Sequence, residues 1–345
     1  MDQEYRHKLE KIEAVLRSWL PKEPDPQKRL WMDPIFSELP GTVSPELLES
    51  LTLPDWDLVN RGGKRWRPLF MTLICESLGG GDHALALTPL VEFPHNASLI
   101  HDDIEDSSDK RRGEPAIHIR YGQDRALNSG TFLYFLPQAC LECWDAPIVQ
   151  KYAVLEQWFI HLRRLHLGQA MDIQWHRDFI SLPDLPSYRL MCRLKTGSLA
   201  RLAAVLGGLA AVPPEEISRE KERIKNLEES AEKLGMGFQI LDDVKNLTVG
   251  NPGKKRGDDI VEGKKSLPVL LYLGRHPDRR EFAAECFSAA RTHGAAAPEV
   301  EELIRALTAD GAVQEAEAQG RAYIAEAAAV FSGFPVFSHF FSFLF

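Results

Sequence analysis

The sequence predicts an all-α protein with a single large domain over residues 1–345. Apolar residues recur at three- and four-residue spacing in four long stretches, as in amphipathic helices, and strand-like alternation is hard to find. Clusters of glycine and proline separate these stretches, and none is long enough to act as a linker between two domains. The four stretches are Leu9–Trp19, Leu69–Leu78, Leu155–Leu165 and Ile224–Leu234.

The composition is that of a folded globular protein, with 44% hydrophobic and 26% charged residues, and the chain is long enough to bury a large core. A net charge of −9 argues against nucleic acid or an anionic membrane as a general partner, so any phosphate recognition must be local. The longest apolar run, Leu199–Val212, is interrupted by Arg201 and falls short of the roughly 20 residues that span a bilayer. We therefore expect no nucleic-acid partner and no transmembrane segment.

Cysteine usage indicates a reducing compartment. Five cysteines are scattered along the chain, and their odd number does not suggest a disulfide framework. Met1 is followed by polar and acidic residues rather than by a basic and then apolar leader, so the expected location is the cytoplasm. We expect Cys140 and Cys143 to be core thiols, because a lone C-x-x-C pair is weak evidence for zinc.

Helix starts and the two chain ends can be interpreted locally. Ser44 is expected to cap a helix that begins at Pro45, and Ser181, Ser187 and the run Pro214-Glu215-Glu216 are further candidate starts. The amphipathic stretch near the N-terminus is expected to pack on the remaining helices or on a partner subunit. Residues 331–345 contain seven phenylalanines, for which core or dimer packing is the first interpretation and a membrane or product-exit contact the alternative.

Three aspartates lie near the C-terminal end of a predicted buried helix, Leu90–Ile104. They are Asp102, Asp103 and Asp106. Like charges about 4 Å apart repel by roughly 4 kcal/mol at an effective dielectric of about 20, and acids are unfavourable at the negative end of a helix dipole. A cation must therefore compensate them, whereas Glu105 and Asp109 fall off the shared face and are expected to remain solvated.

A second acidic cluster repeats the pattern. Asp242, Asp243 and Asn246 follow another apolar helical run, so the spacing is D-D-x-x-D once and D-D-x-x-N once. Two such helices facing each other would line a cavity with oxygen ligands. Oxygen ligands suit Mg²⁺, which keeps its waters and bridges to substrate phosphates.

Basic residues supply the other half of a diphosphate site, because lysine and arginine offer donors suited to phosphate oxygens. None belongs to a Walker loop: residues 257–266 end like one but fail in the glycine spacing and in the residue after Lys264. The basic candidates are Lys64, Arg67, Arg111, Arg112, Lys195, Lys254 and Lys264.

Together these motifs resemble the trans-isoprenyl diphosphate synthases, the head-to-tail prenyltransferases, from Asp57 to Leu273. Five blocks occur in that family's order, and their combination is highly specific. The blocks are G-G-K-R-W-R-P; H-N-A-S-L-I-H-D-D-I-E-D with R-R-G; G-Q-A-M-D-I-Q-W; L-K-T-G-S-L; and F-Q-I-L-D-D-V-K-N with G-D-D-I-V-E-G-K-K-S-L-P. Asn246 replaces an aspartate that many members carry, and the D-D-x-x-N-L form favours geranylgeranyl diphosphate synthases.

The resemblance implies an isoprenoid synthase fold, which is a helical bundle around a deep central cavity, and usually a homodimer. It implies a reaction between isopentenyl diphosphate and an allylic diphosphate, with three Mg²⁺ ions in each active site. The implied metal ligands are Asp102, Asp103, Asp106, Asp242, Asp243 and Asn246.

The resemblance also assigns the substrates to residues. The allylic diphosphate would be bound by Arg111, Lys195 and Lys254, and isopentenyl diphosphate by Lys64, Arg67, His95 and Arg112. Phe238 would pack on the isopentenyl group, and Lys264 is a further substrate-binding candidate. The predicted catalytic residues are Lys195, Thr196, Gln239, Asp102 and Arg111.

Product length is predicted to depend on residues below the first aspartate motif. Ala97 and Ser98 are small, and at about 1.5 Å rise per residue they lie roughly 6–8 Å deeper along the helix than Asp102. With no aromatic side chain there, we expect a product longer than fifteen carbons and favour geranylgeranyl diphosphate, which has twenty. Phe93, two turns down, is the candidate floor, and Pro94 can redirect it through a kink.

Two alternatives use the same scaffold. A class I terpene cyclase carries (N/D)-D-x-x-(S/T)-x-x-x-E as its second motif, but here Asn246 and Gly250 occupy the last two positions. A cyclase would also give the isopentenyl-binding bases no purpose. A catalytically weak partner or regulatory subunit is disfavoured by the intact D-D-x-x-D.

Overall fold

α-Helices dominate the architecture, as predicted. The computed structural model describes residues 3–178, 182–250 and 255–345. Within them the helices are α1 (Gln3–Trp19), α2 (Arg29–Phe36), α3 (Pro45–Asn60), α4 (Trp66–Ser77), α5 (Pro89–Glu105), α6 (Ile117–Tyr121), α7 (Gln123–Phe135), α8 (Gln138–Cys143), α9 (Ile148–Arg177), α10 (Leu185–Cys192), α11 (Ser198–Ala211), α12 (Ile217–Thr248), α13 (Asp258–Glu262), α14 (Leu267–Arg275), α15 (Arg280–His293), α16 (Pro298–Ala309), α17 (Ala312–Phe331) and α18 (Phe340–Leu344).

Short elements of other kinds join these helices. Strands β1 (Lys110–Arg111) and β2 (Glu114–Pro115) form an antiparallel hairpin after α5. Arg112 and Gly113 turn the hairpin with φ of +56° and +82°, the signs that a type I′ turn requires. A π-helical segment, Arg193–Gly197, joins α10 to α11. Single 3₁₀ turns lie at Leu85–Leu87, Pro214–Glu216, Pro277–Arg279 and Pro335–Phe337.

The predicted helix start at Ser44 is confirmed, the run at Pro214 forms a 3₁₀ turn that leads directly into α12, and Ser181 lies outside the described residues. Helix α3 begins at Pro45, and the Ser44 side chain accepts a hydrogen bond from the backbone N–H of Leu47 at 3.4 Å. The start at Ser187 is wrong, because Asp184 caps α10 and accepts from the N–H of Ser187 at 2.8 Å. A carboxylate caps a helix as well as a hydroxyl does, and proline fits the first turn that follows it.

Two clusters of buried apolar side chains form most of the core. The larger one joins α1, α4, α5, α9, α11 and the C-terminal segment, and the second is built mainly from α14, α15, α16 and α17. Helix α12 contributes Leu227 and Leu234 to the larger cluster and Ile240 and Val244 to the second. Helix α12 thus contacts both clusters, and the single domain stays a prediction.

Both chain ends pack into the larger cluster. The Tyr5 hydroxyl of α1 donates to the carbonyl of Val336 at 2.5 Å. Three rings near the other end surround Phe70 with centroid distances of 5.0, 5.6 and 5.2 Å. They belong to Phe331, Phe337 and Phe340, which are buried. Core packing is therefore the interpretation of the phenylalanine-rich segment that the structure favours.

Of the two cysteines in the C-x-x-C sequence, only one lies in the core as predicted. Cys140 is buried, but Cys143 is exposed. Cys143 is the last residue of α8 and precedes the largely exposed residues 145–149, so the thiol lies where the chain leaves the core.

No single helix of the described ranges is both long and apolar enough to cross a membrane. Two consecutive segments, Leu185–Ala211 and Pro214–Thr248, reach the length and composition together but meet at 116°. Most side chains of α11, within the first segment, are buried in the core.

Candidate active site

A cavity of about 510 Å³ collects most of the predicted site residues. Its walls come from α4, α5, the hairpin, α9, the π-helical segment and α12. The predicted residues in its lining are Lys64, Arg67, His95, Ser98, Asp102, Arg111, Arg112, Lys195, Thr196, Phe238, Gln239, Asp242, Asp243 and Lys264.

A few predicted residues lie beside the cavity rather than in its lining. Phe93 and Ala97 are fully buried within the larger core cluster. Their effect on product length stays a prediction. Asp103 and Asn246 are also fully buried, and Lys254 lies outside the described residues.

Asp102 is the acid of the first motif that faces the cavity. It accepts hydrogen bonds from Arg111 at 3.3 Å, from Lys195 at 3.3 Å and from the amide of Gln169 at 3.0 Å. Arg111 and Lys195 are therefore cations that compensate this motif. Gln169 also donates to Glu105 at 2.6 Å. Glu105 is exposed, as expected of a solvated charge, although it also contributes to the cavity lining.

The other two acids of the first motif contact basic side chains of the cavity lining without lining the cavity themselves. Asp103 accepts from Arg111 Nε at 2.9 Å. Asp106 lies 3.5 Å from Lys264 Nζ and 3.7 Å from His176 Nδ1. Burial raises the pKa of Asp106 to about 7, although Lys264 acts in the opposite direction. Asp103 and Asp106 thus orient Arg111 and Lys264, two basic side chains of the cavity lining.

Lys195 and Thr196 belong to the π-helical segment, a rare distortion that is frequent at functional sites. Glycines allow two helices to approach this segment closely. A Cβ on Gly168 of α9 would lie 2.3 Å from the backbone nitrogen of Lys195. A Cβ on Gly235 of α12 would lie 2.8 Å from the Cα of Gly197. A larger residue at either position would push the lysine and threonine out of place.

The Lys195 ammonium has two carboxylate partners. Besides contacting Asp102, it donates to Asp172 at 2.5 Å. Burial lowers the pKa of Lys195, but the charges of Asp102 and Asp172 outweigh burial and raise it above its usual value. Lys195 is therefore a permanent positive charge in the cavity at physiological pH.

The second motif has different partners. Asp242 and Asp243 line the cavity, and Asp243 accepts from the Tyr188 hydroxyl at 3.1 Å and from the Gln239 amide at 2.8 Å. Burial raises the pKa of Asp243 well above its usual value. The hydroxyl of Thr196 donates to Gln239 Oε1 at 2.5 Å. The amide of Gln239 is thus oriented from both sides.

Asn246 ends the second motif and faces the protein. Its Oδ1 accepts the backbone N–H of Asp259 at 3.2 Å, which ties α12 to the first turn of α13. The role of Asn246 as a metal ligand stays a prediction, and this contact favours an anchoring role instead.

A separate part of the lining is basic. Lys64, Arg67, His95 and Arg112 contribute to it, and Arg67 Nη1 lies 3.3 Å from His95 Nε2. Burial lowers the pKa of Arg67 and of Arg112 to about 10. Burial, together with the charges of the arginines, holds the pKa of His95 well below its usual value. This concentration of positive charge suits an anion with several oxygens, such as a diphosphate.

The C-terminal segment borders the basic cluster. Lys64 Nζ donates to the carbonyl of Leu344 at 2.5 Å. The ring of Phe238 lies 5.6 Å from Trp66 and 6.2 Å from Phe345. Phe238 therefore belongs to an aromatic wall beside the basic residues.

Aromatic rings also line the cavity on the side of Ser98. Tyr134 and His166 are part of the lining, and their ring centroids are 5.1 Å apart. His101 lies 5.6 Å from Tyr134. These three rings form an aromatic side of the cavity lining.

The acids of the cavity fit a divalent metal by donor type. Mg²⁺ prefers oxygen ligands and is usually held by one or two carboxylates together with substrate phosphates. Across the described ranges, no three acidic, histidine or cysteine side chains are grouped closely enough to hold an ion by themselves. A metal would therefore be held jointly by protein and phosphate. The carboxylates in the lining are Asp102, Glu105, Asp242, Asp243 and Asp259.

Some residues that contact the site are not predicted from the sequence. Gln169 and Asp172 stand in the block G-Q-A-M-D-I-Q-W, and their three-residue spacing on a helix could have indicated one shared face. Tyr188 gave no such indication, because its bond to Asp243 joins positions 55 residues apart. Tyr134 likewise reaches the cavity from α7, a helix that carries none of the motifs.

Comparisons with known proteins agree with this geometry. A family model described as polyprenyl synthetase matches residues 49–307. Geranylfarnesyl diphosphate synthase of Aeropyrum pernix is 33% identical over 309 residues, which cover 85% of this chain and 90% of that protein. Geranylgeranyl pyrophosphate synthase of Eremothecium gossypii is 34% identical over 230 residues, which cover 65% of this chain and 70% of that protein.

Solved structures give the same result. The crystal structure of geranylgeranyl pyrophosphate synthetase from Pyrococcus horikoshii Ot3 superposes with a TM-score of 0.77 at 27% identity, covering 96% of this chain and 92% of that one. The predicted isoprenoid synthase fold is thereby confirmed.

Proposed function

The chain belongs to the polyprenyl synthetase family and is a prenyltransferase, and we propose that it joins isopentenyl diphosphate head to tail to an allylic diphosphate. The substrates of this family are isoprenyl diphosphates, which are bound with the help of divalent metal. The product that we propose is all-trans geranylgeranyl diphosphate.

One observation carries this proposal: a single cavity is lined by two clusters of basic side chains, each suited to a diphosphate. Around Asp102, Arg111 and Lys195 offer cations next to carboxylates, which suits a diphosphate bound together with metal. Around Arg67, the second cluster is basic and includes Arg112, which suits a diphosphate bound directly. Two clusters match two diphosphate substrates, of which one loses its diphosphate and the other keeps it.

The acids of the two motifs are the proposed holders of three Mg²⁺ ions. Asp102, Asp242 and Asp243 line the cavity, and Asp103 and Asp106 would act from beside it, whereas the contact of Asn246 with Asp259 favours an anchoring role. Bound with the diphosphate, the metal would supply neutralisation of the charge that develops on the leaving group.

The remaining steps concern residues of this chain. Arg111 and Lys195 would stabilise the developing negative charge on the leaving diphosphate. Thr196 and Gln239 lie between the two motifs and would position the reacting carbons. Leu165 and Leu199 are apolar parts of the lining that exclude water from the allylic cation, which water would otherwise capture. The final proton would pass to the departed diphosphate.

The aromatic side of the cavity is the proposed limit on product length. Tyr134 and His166 line the cavity together with Ser98 and Asp102, and their paired rings would stop the growing chain. Replacing Tyr134 by alanine should lengthen the product, because the chain can then grow past the ring. The control is Phe135→Ala, which removes a neighbouring ring that is 62% exposed. An unchanged product from Tyr134→Ala would refute this floor, and a shorter product from Ala97→Phe would place the limit on α5 instead.

We further propose a homodimer that buries the outer face at the start of α9. Ile148, Val149 and Tyr152 are 77%, 62% and 66% exposed, and Phe159 continues this apolar face at helical spacing. A second copy of the chain is the proposed occupant. Sedimentation should show a dimer for the unmodified chain and a monomer for Tyr152→Glu.

Two further predictions remain part of the proposal. The sharing of α12 between both core clusters supports one domain. All five cysteines are free, which supports a reducing location such as the cytoplasm.

One experiment tests the proposed reaction. Purified protein is incubated with Mg²⁺, isopentenyl diphosphate and allylic primers of five, ten or fifteen carbons, and the dephosphorylated products are sized. We expect a twenty-carbon alcohol. A cyclised hydrocarbon formed without isopentenyl diphosphate would identify a terpene cyclase, and no consumption with any primer would identify a partner or regulatory subunit.

A further inference from the structure

The β1–β2 hairpin carries two adjacent arginines of the site, and their side chains have different partners. The Arg111 side chain reaches Asp103 and Asp102 at the acidic cluster. Arg112 donates to the carbonyl of Leu58 at 3.0 Å and lines the basic cluster. Both depend on a turn in which Arg112 has a φ of +56°, a conformation that L residues adopt at a cost of about 1–2 kcal/mol. Something must hold this short hairpin in place.

Arg61, at the end of α3, contacts the hairpin from outside the cavity. Its Nη1 donates to the carbonyl of Arg111 at 3.2 Å and to the carbonyl of Pro115 at 2.8 Å. These two bonds fix one residue of β1 and one residue of β2. The Arg61 side chain is only 6% exposed, so water is a poor substitute for it there.

Asp57, one turn earlier on α3, fixes Arg61 in turn. The two side chains form a bidentate pair, with Nε to Oδ1 at 3.0 Å and Nη2 to Oδ2 at 2.9 Å. Arg120 and Tyr121 donate to the same carboxylate at 2.8 and 3.0 Å. Burial acts to raise the pKa of Asp57, but these hydrogen bonds outweigh it and lower the pKa. The carboxylate is therefore charged, and a bidentate pair of this kind has a fixed geometry.

We propose that Arg61, held by Asp57, is a positioning residue that sets the hairpin so that Arg111 and Arg112 reach two different diphosphates. This inference rests on the proposed function of the cavity. It predicts a coupling: disturbing Arg61 should weaken the binding of both substrates together, whereas Arg111→Met and Arg112→Met should each weaken mainly one.

The test compares Arg61→Met and Arg61→Lys with the unmodified chain in steady-state kinetics, varying each diphosphate separately. We expect Arg61→Met to raise both KM values about tenfold, since small misplacements of binding groups are costly. Arg61→Lys, which can make one of the backbone bonds, should restore part of the loss. Arg125→Met is the matched control, because Arg125 donates to the Ser50 carbonyl of the same helix at 3.4 Å and should leave both KM values within about twofold.

Hydrogen exchange tests whether Arg61 holds the hairpin, independently of turnover. The N–H of Ala116 donates to the carbonyl of Asp109 at 2.8 Å and reports on closure of the hairpin. In Arg61→Met it should exchange at least about tenfold faster, with no such change in Arg125→Met. If Arg61→Met fails to fold, Asp57→Asn with both readouts replaces it. The inference would be overturned by unchanged exchange in Arg61→Met, by KM values that stay within twofold, or by a KM that rises for one substrate only. An inactive unmodified chain would refute the proposed function but leave the exchange test intact.

Discussion

The two aspartate motifs are nearly identical in sequence but differ in what surrounds them. On α5, Asp102 contacts the cations Arg111 and Lys195. On α12, Asp243 accepts hydrogen bonds from the uncharged side chains of Tyr188 and Gln239. Asp102 of the first motif is thus balanced by charge, whereas Asp243 of the second is held by neutral donors.

This difference indicates that the two motifs have different roles in binding metal and diphosphate. Cations beside the first motif are already in place to receive a diphosphate, so this motif is set before substrate arrives. Neutral donors fix the direction of Asp243 but add no positive charge, and burial raises its pKa. A bound cation would therefore stabilise the ionised form of Asp243 more than that of Asp102.

The largest expected effect comes from neutralising the cavity-facing acid of the first motif. Asp102→Asn keeps the shape of the side chain but removes the charge between Arg111 and Lys195. We expect kcat to fall about 10²- to 10³-fold, the usual effect of removing one group that stabilises a transition state. Initial rates at saturating substrate and Mg²⁺ measure it.

Asp109→Asn is the control for this substitution. Asp109 follows the same motif but is exposed, and its substitution should leave kcat within about twofold. A loss of less than tenfold in Asp102→Asn would show that the first motif does not carry the chemistry and would break the comparison.

The next largest effect should come from the neutral partner of the second motif. Tyr188→Phe removes the hydroxyl that donates to Asp243, so the carboxylate is no longer held toward the cavity. Loss of such an orienting partner costs about 10- to 100-fold in metal affinity or activity. We expect the Mg²⁺ concentration at half-maximal rate to rise accordingly.

Tyr272→Phe is the matched control, because Tyr272 is buried in the same core cluster as Tyr188. Removing its hydroxyl should leave the Mg²⁺ requirement unchanged. If both variants behaved alike, the contact between Tyr188 and Asp243 would have no specific role.

The sequence predicts the helices of this site better than their mutual contacts. The spacing of apolar residues and the positions of glycine and proline are local properties of a sequence. The predicted run Leu90–Ile104 therefore corresponds closely to α5 (Pro89–Glu105). The same holds for the motif residues, since Asp102, Lys195 and Asp242 stand in contiguous blocks and all reach the cavity. A local pattern can therefore place side chains on a face and indicate their chemistry.

Contacts between distant segments are not predictable in this way. The bond from Tyr188 to Asp243 and the bond from Arg61 to the hairpin depend on helix packing. The hairpin itself escapes prediction, because two-residue strands are too short to show alternation. The two aspartate motifs therefore look equivalent until their tertiary partners are known.

A smaller effect is expected for metal binding without turnover. Because Arg111 and Lys195 contact Asp102, Mg²⁺ alone should bind weakly. Adding inorganic pyrophosphate gives these cations another anion and supplies phosphate oxygens to the metal. Titration calorimetry should show Mg²⁺ binding at least about tenfold tighter with pyrophosphate bound, a difference of about 1.4 kcal/mol.

The control for this titration is Asp102→Asn, in which the effect of pyrophosphate should be reduced. Equal Mg²⁺ affinity with and without pyrophosphate would mean that the acids hold the metal by themselves. In that case the charge balance of the first motif would not distinguish it from the second.

The smallest effect on activity is expected where the two motifs differ in sequence. Asn246→Asp makes the second motif D-D-x-x-D, but its Oδ1 already accepts the N–H of Asp259, and Asp retains that acceptor. We expect kcat/KM to change less than about threefold, and the free energy of unfolding to fall by about 1–3 kcal/mol because a charge is buried. Asn226→Asp on the exposed face of α12 is the control for urea unfolding and should cost under about 0.5 kcal/mol. A tenfold change in the Mg²⁺ requirement of Asn246→Asp would instead make position 246 a metal ligand. Asp106, which lies beside Lys264, and residue 246, which contacts the backbone of α13, would then share a function despite their different partners.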